Sequence, residues 1–239
     1  MQVPLIDLKA QYQSIKLEID EAIARVLSKG QYVIGEEVEN FEVEWARYCK
    51  AKYCVAVSSG TDALYLVLKA LDRDDAMLWT TPRTFIAVAE AARRADYWIC
   101  FSDQGAPSGQ GAPSEYIQRR DVAVPVSLYG MPHNETWPEG VRVVEDLAQA
   151  HGHPLRGLAA CFSFYPTKNL GAIGQAGAVV TNDPDLSGQI RVLRAHGEVE
   201  RFNSYYLSGN YRMDELQAAI LRVKLPHLGK WNKRRREIA

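Results

Sequence analysis

Residues 160–181, ACFSFYPTKNLGAIGQAGAVVT, constrain the chain more than any other stretch. The run ending in Phe162, Ser163 and Phe164 is apolar enough for a buried strand. Tyr165, Pro166 and Thr167 break it, and Lys168 follows in a turn before a Gly-rich segment and a second apolar strand, 176–181. Lysine normally keeps its ammonium in water. A lysine between two buried strands either snorkels to the surface or is held in a site. In the second case desolvation weakens its hold on the proton and makes it an amine nucleophile. On this stretch alone the solvated charge is the default.

A second element shifts that balance. Upstream, residues 143–152 read VVEDLAQAHG, a short apolar strand ending in acidic residues. The carboxyl edge of a parallel sheet is where such a side chain meets a ligand. An amine and a carboxylate in these places suit pyridoxal phosphate (PLP). The amine forms a Schiff base with its aldehyde, and the carboxylate holds the pyridine nitrogen protonated, which makes the ring a better electron sink. Asp146 is placed for the nitrogen and Lys168 for the aldehyde.

With 239 residues and 47% hydrophobic content, the chain can bury a sizeable core. A net charge of −1 gives no overall field toward nucleic acid or membrane. The basic run 230–236 reads as a solvated helix end. Cys49, Cys54, Cys100 and Cys161 show no metal-ligand spacing, so buried free thiols in a reducing compartment are expected, with no structural metal. No signal peptide opens the chain, and no apolar stretch approaches the ~20 residues that cross a bilayer. The expected location is cytoplasmic.

Helical spacing predicts helices over 10–27, stopped by Gly30, and over 36–49 with the stripe Val38, Phe41, Trp45, Tyr48. A β-rich run at 53–57 leads through Ser58, Ser59, Gly60, Thr61 and Asp62 into an apolar helix, 63–71. Free N–H groups at such a helix start bind phosphate, and Gly60 allows close approach, with the Ser59 and Thr61 hydroxyls as further donors. An ordinary helix cap explains the same residues. Strands follow at 77–80, 96–101, 121–128 and 141–145, with a helix at 86–94. Phe85, at a strand-to-helix junction, is either a core aromatic or a stacking partner for a flat ring. Residues 104–113 are a Gly/Pro/Ser-rich surface loop. A helix capped by Asp183 runs to Arg194, residues 201–206 form a loop, and a helix over 215–223 precedes another apolar-patterned piece reaching Trp231. The alternation predicts an α/β fold with a mostly parallel central sheet flanked by helices.

VPLIDLKAQY, SSGTDAL, TPRTF, VPVSLYG, VVEDLAQAHG, CFSFYPTKNLGAIGQAGAVVTNDPDL and GNYRMDELQAAILRVKL occur in this order along nearly the whole chain. Together they resemble the DegT/DnrJ/EryC1/StrS family of PLP-dependent sugar aminotransferases. The resemblance implies fold type I, the aspartate-aminotransferase-like large domain. It implies that Lys168 forms the Schiff base and moves the proton, and that Asp146 holds the pyridinium. It likewise implies that Gln149 lies against the ring oxygen or the ring face, that Ser163, Gly60 and Thr61 bind the phosphate, and that Phe85 stacks on the ring. Asn210 reaches the phosphate in a neighbouring subunit, so a homodimer is implied. Lysine at 168, where some members carry histidine and dehydrate, implies transamination. The implied substrates are a nucleotide-linked keto-deoxysugar, of the 3-keto-6-deoxyhexose group, and an amino-acid donor, glutamate.

Departures from the family pattern accompany the matches. Residues 1–239 are expected to form a PLP-binding large domain with an N-terminal helix, with the usual small C-terminal domain missing. The links 130–141 and 151–161 are short, and Gln175-Ala176-Gly177 replaces an acidic-Gly-Gly loop. The shortened fold is expected to leave the stripe Leu216, Ile220, Leu221, Val223, Leu225, Leu228 and Trp231 uncovered, which favours self-association. Two further readings stay open: a PLP-binding regulatory protein without turnover, and an α/β module without cofactor.

Overall fold

The computed structural model describes residues 6–71, 76–102, 117–133 and 137–239. The loop expected at 104–113 lies outside them. The centre is a seven-stranded sheet made of β1 (Tyr53–Val57), β2 (Met77–Thr80), β3 (Trp98–Phe101), β4 (Val122–Val124), β5 (Arg142–Asp146), β6 (Ala159–Ser163) and β7 (Gly177–Thr181), in the order β1-β7-β6-β5-β4-β2-β3. Pairs from β3 through β6 are parallel, and β7 runs antiparallel to both β6 and β1. Every strand except β7 therefore points its carboxyl end at the same edge.

Side chains alternate across a strand, so each inner strand feeds two cores. In β6, Ala159 and Cys161 face a core shared with α4 (Gly60–Leu71), α5 (Ala87–Arg94) and α6 (Pro184–Arg194). Ala160 and Phe162 face the other, shared with α3 (Glu36–Tyr48) and α7 (Glu215–Ile238). Trp45 and Phe41, both fully buried, anchor that second layer against Phe162 and Phe164. This is the doubly covered, mostly parallel sheet that the alternating pattern predicts.

Several elements differ from expectation. The first helix is two, α1 (Leu8–Ser14) and α2 (Lys16–Lys29), because Ile15 leaves helical backbone (φ −135°, ψ 28°). Its side chain joins Ile19 and Ile220 in a buried cluster. The strand expected over 121–128 ends at Val124, since Pro125 has no N–H to continue the ladder, and a 3-10 turn follows at Leu128–Gly130. Within 201–206, Asn203–Ser204 (β9) pairs with Glu198–Glu200 (β8) in a small hairpin instead of a plain loop. The two C-terminal pieces are one helix, α7, which continues through Pro226. Pro226 sits on its exposed side, so the lost hydrogen bond falls toward water while Leu221, Lys224 and Leu228 keep the inner face packed.

The stripe expected to need cover has it already. Ile220, Leu221 and Leu228 are fully buried, with Ile220 packed on Ile15 and Ile19 and Leu221 in the core beneath α3. The N-terminal helices are the cover, so this stripe gives no reason for self-association. All four cysteines are free thiols, and Cys49, Cys54 and Cys161 are buried. Among the described residues no helix is long and apolar enough to cross a membrane.

Candidate active site

A cavity of about 420 Å³ opens at the carboxyl edge of the sheet, within the usual range for small-molecule sites. Its walls come from the segments that leave successive strands. Ser59, Gly60 and Thr61 follow β1, Thr84 and Phe85 follow β2, and Val126 and Ser127 follow β4. Asp146 and Gln149 end β5, while Ser163, Tyr165 and Lys168 end β6. Parallel strands deliver these groups to one place, since their carboxyl ends share an edge.

Lys168 and Asp146 line the same cavity. Lys168 is half-buried, and among the described residues nothing accepts a hydrogen bond from its Nζ. Burial lowers its affinity for the proton, partly offset by the charge of Asp146. Asp146 is buried, and burial raises its pKa against the opposing pull of the Ala148 N–H and the Lys168 charge. Its Oδ1 accepts from that N–H at 3.0 Å, and no donor among the described residues reaches Oδ2. The carboxylate has an open oxygen aimed at a cavity, where a cationic N–H would relieve the cost of its burial.

The helix start of α4 serves both as a cap and as an anion site. Ser59 Oγ accepts from Asp62 N–H at 3.1 Å and donates to the Asp62 carboxylate at 2.7 Å. The Ser59 hydroxyl is thus spent on the helix. The N–H groups of Gly60 and Thr61 find no acceptor among the described residues. They point, with the helix dipole, to an anion. Ser163 Oγ accepts from Tyr165 N–H at 3.3 Å, which leaves its own proton for the cavity. Gln149 Oε1 accepts from Tyr129 N–H at 2.9 Å, which fixes the amide on the cavity wall.

Phe85 is 69% exposed. The core alternative is therefore excluded, and its ring stands at the cavity mouth. Of the residues expected at the cofactor, Asn210 alone is not brought to the chain's own cavity: it is exposed and its Oδ1 takes only Arg212, at 3.3 and 3.4 Å. A residue meant for a second copy's site would be left outside its own in this way.

The residues fit PLP on observations independent of the motif. Thr84 and Ser127 line the cavity as residues, but their hydroxyl oxygens are turned away from solvent, so the fit rests on the groups that remain open. Unused N–H donors, an unpartnered amine and a half-paired carboxylate match a ligand with an anionic end, an aldehyde and a basic nitrogen. Leu64, Ala87 and Val126 give the flat apolar wall that such a ring needs.

Sequence reasoning missed two supports. Gly177 carries the Ser59–Gly60 turn: a Cβ there would lie 2.3 Å from the Ser59 carbonyl oxygen. His151 is fully enclosed and its pKa falls to about 3 by burial. Its Nδ1 accepts from Leu170 N–H at 3.1 Å, so the proton sits on Nε2 and is donated to the Ser163 carbonyl, also at 3.1 Å. Neither role has a signal short of the tertiary contact.

The model of the DegT/DnrJ/EryC1/StrS aminotransferase family matches residues 13–239. The dTDP-3-amino-3,4,6-trideoxy-alpha-D-glucose transaminase of Streptomyces venezuelae is 40% identical over 264 residues, covering 99% of this chain and 67% of the relative. That span exceeds the 239 residues of this chain, so the relative carries internal residues with no counterpart here. The crystal structure of S. venezuelae DesV in complex with a ketimine intermediate superposes with a TM-score of 0.91 at 39% identity, over 99% of this chain and 68% of that one. NtdA from Bacillus subtilis with bound cofactor PMP gives 0.82 at 27% identity, over 95% and 56%. The chain thus spans about two thirds of the length of the transaminase it matches. It belongs to the DegT/DnrJ/EryC1/StrS aminotransferase family.

Proposed function

We propose that this chain is a PLP-dependent aminotransferase that moves an amino group from an amino acid, glutamate, to the keto group of a nucleotide-linked deoxysugar. The observation that carries the reading is the shared cavity of Lys168 and Asp146. The sugar in the S. venezuelae relative's name, a dTDP-linked 3-amino sugar, is what amination of a 3-keto sugar yields, and this supports a 3-keto substrate.

When bound, PLP supplies an aldehyde for an amine and a protonated ring that withdraws electrons from the bonds at the attached carbon. The remaining steps belong to the protein. Lys168 Nζ, partly desolvated and without a partner, has the lowered proton affinity of an attacking amine. The same atom then takes the proton from the donor's α-carbon and returns it on the sugar side. Asp146 Oδ2 would hold the pyridine N–H and keep the ring charged. Gly60 and Thr61 N–H and Ser163 Oγ would hold the phosphate, Gln149 would lie against the ring oxygen or the ring face, and Phe85 would stack on the ring.

A homodimer completes the site in this reading. Asn210 is exposed beside the segment that carries Phe202, Tyr205, Tyr206 and Leu207, with Phe202 85% and Leu207 94% exposed. Such apolar exposure suits a second copy. The cytoplasm is the compartment we assign, on the free cysteines.

Spectroscopy tests the reading. PLP added to the purified chain should give a visible absorption band, and borohydride should fix the cofactor to Lys168, located by peptide mass spectrometry. Lys168→Ala should give no fixed adduct. Adding glutamate should bleach the band toward the pyridoxamine form. A band that ignores glutamate supports binding without turnover, and no band at all overturns both.

A further inference from the structure

The segment that carries Lys168 is gripped along its length by one face of α7. Asn232 Oδ1 accepts from Asn169 Nδ2 at 2.8 Å, one residue beyond Lys168. Lys224 Nζ donates to the Gly171 carbonyl at 2.7 Å. Gln217 Oε1 accepts from Ile173 N–H at 3.1 Å. Alternate residues of the segment thus meet Gln217, Lys224 and Asn232, whose spacing of seven and eight keeps them on one helix face.

Two of the three grips are buried. Lys224 is 4% and Asn232 7% exposed. An enclosed lysine with a single carbonyl partner is a costly way to hold a loop, and burial lowers its proton affinity. Asn232 does more than hold Asn169. Its Nδ2 donates to the His151 carbonyl at 2.9 Å, and Arg235 Nη1 donates to its Oδ1 at 3.2 Å. His151 in turn holds the Ser163 carbonyl and Leu170 N–H. Asn232 therefore ties the segment after Asp146 to the segment around Lys168. The two groups proposed to hold opposite sides of the cofactor hang from one amide.

We propose that α7 is a splint that sets where the Lys168 amine stands, with Asn232 as the positioning residue. A second cavity, lined by Lys168, Asn169, His151 and Asn232, lies beside the first; Asn232 does not line the one that holds Asp146, so it acts through Asn169 and His151. The proposal rests on Lys168 being the reactive amine. Around that amine the titratable and charged groups are Asp146, His151 and, in the second cavity, Tyr129, His153, Arg235 and Arg236, with Tyr165 at the first. Of these, Arg235 and His151 bond Asn232 itself, so Asn232→Leu also releases a charge beside the amine, whereas Asn169→Ala removes the grip and leaves the Asn232–Arg235 and Asn232–His151 bonds in place.

The test uses the cofactor-free chain. Trace acetic anhydride labels lysines across a pH series, and mass spectrometry compares the Lys168 peptide with that of exposed Lys52. Asn232→Leu, and separately Asn169→Ala, should free the segment and let water reach Lys168. Its labelling midpoint should then rise toward that of Lys52 by about half a pH unit or more, about threefold in reactivity at fixed pH. A purely structural role lowers the thermal midpoint and leaves the labelling midpoint in place, and that result overturns the splint. Should Asn232→Leu not fold, Asn169→Ala decides alone, since it leaves the Asn232–His151 bond intact. Borohydride trapping of the wild-type chain with PLP reports the cofactor reading separately. Failure there with a shifted labelling midpoint removes the cofactor and keeps the splint.

Discussion

A Cβ placed on Gly60 would lie 2.6 Å from the Cβ of Ser163. The first residue of α4 therefore rests on the last residue of β6, and both line the cavity, where they are proposed to hold the phosphate. Gly60→Ala must push Ser163 or the helix start aside. Overpacking of this kind costs about 1–3 kcal/mol of stability. Loss of one phosphate hydrogen bond weakens PLP by about tenfold. Absorbance titration with PLP and urea unfolding check the two effects, and unchanged PLP affinity would remove Gly60 from the site.

Asp146→Asn keeps the shape of the side chain and removes its charge. The ring should still bind, since phosphate and amine contacts are untouched. Stabilisation of charge developing on the ring should be lost, at about 10²–10³-fold in the glutamate half-reaction. Stopped-flow absorbance measures it. A half-reaction within about threefold of wild type would dismiss the carboxylate from its role.

Phe85 is an aromatic that stability does not need, being 69% exposed. Phe85→Ala should leave the unfolding midpoint within about 0.5 kcal/mol of wild type and weaken PLP by about 1 kcal/mol of lost stacking. Calorimetry and cofactor titration separate the two. A large fall in stability would restore the core reading that its exposure excludes.

His151 makes stability depend on pH in a set direction. Its ordinary value is 6.5 and its native value about 3. Above the ordinary value the ring is neutral in both states and its contribution is full. As pH falls below it, the unfolded chain takes a proton that the native ring refuses, and stability drops by up to about 1.4 kcal/mol per pH unit. By pH 5 the loss is about 2 kcal/mol relative to pH 7. His151→Gln should flatten that limb. Thermal midpoints between pH 7.5 and pH 5 check it, and an unflattened limb would point to other groups.

Glu215 caps a helix that lies far from it in sequence. Its carboxylate accepts from Gly35, Glu37 and Val38 N–H at 2.8, 2.9 and 3.1 Å, all buried. Glu215→Ala leaves three donors without acceptors at the start of α3, a loss of about 2–4 kcal/mol. Denaturant midpoints measure it. A loss below about 1 kcal/mol would show that water replaces the carboxylate.

Strand and helix identities were legible because burial writes its period into the sequence. Alternation in β6 and the stripe in α3 state which faces are covered. The chemistry was legible for a related reason. Lys168, Asp146 and the Ser-Ser-Gly turn sit at strand ends, and parallel strands bring such ends to one edge. Three boundaries were not legible. Ile15 breaks a helix to reach Ile220, Pro226 stays in a helix because its face is exposed, and β8 forms only by pairing with β9. Each was decided by a partner distant in the chain or by which way a residue faces.

By itself, then, the amino-acid order determined the layered α/β architecture and the kinds of group at its sheet edge, because local pattern and residue chemistry are properties of neighbours. Tertiary structure alone decided that Lys168 and Asp146 share a cavity, that α1 and α2 cover the stripe of α7, and that Asn232 joins Asn169 to the His151 carbonyl. Those are contacts between residues far apart in the chain. Their geometry depends on how whole elements pack, which no local period records.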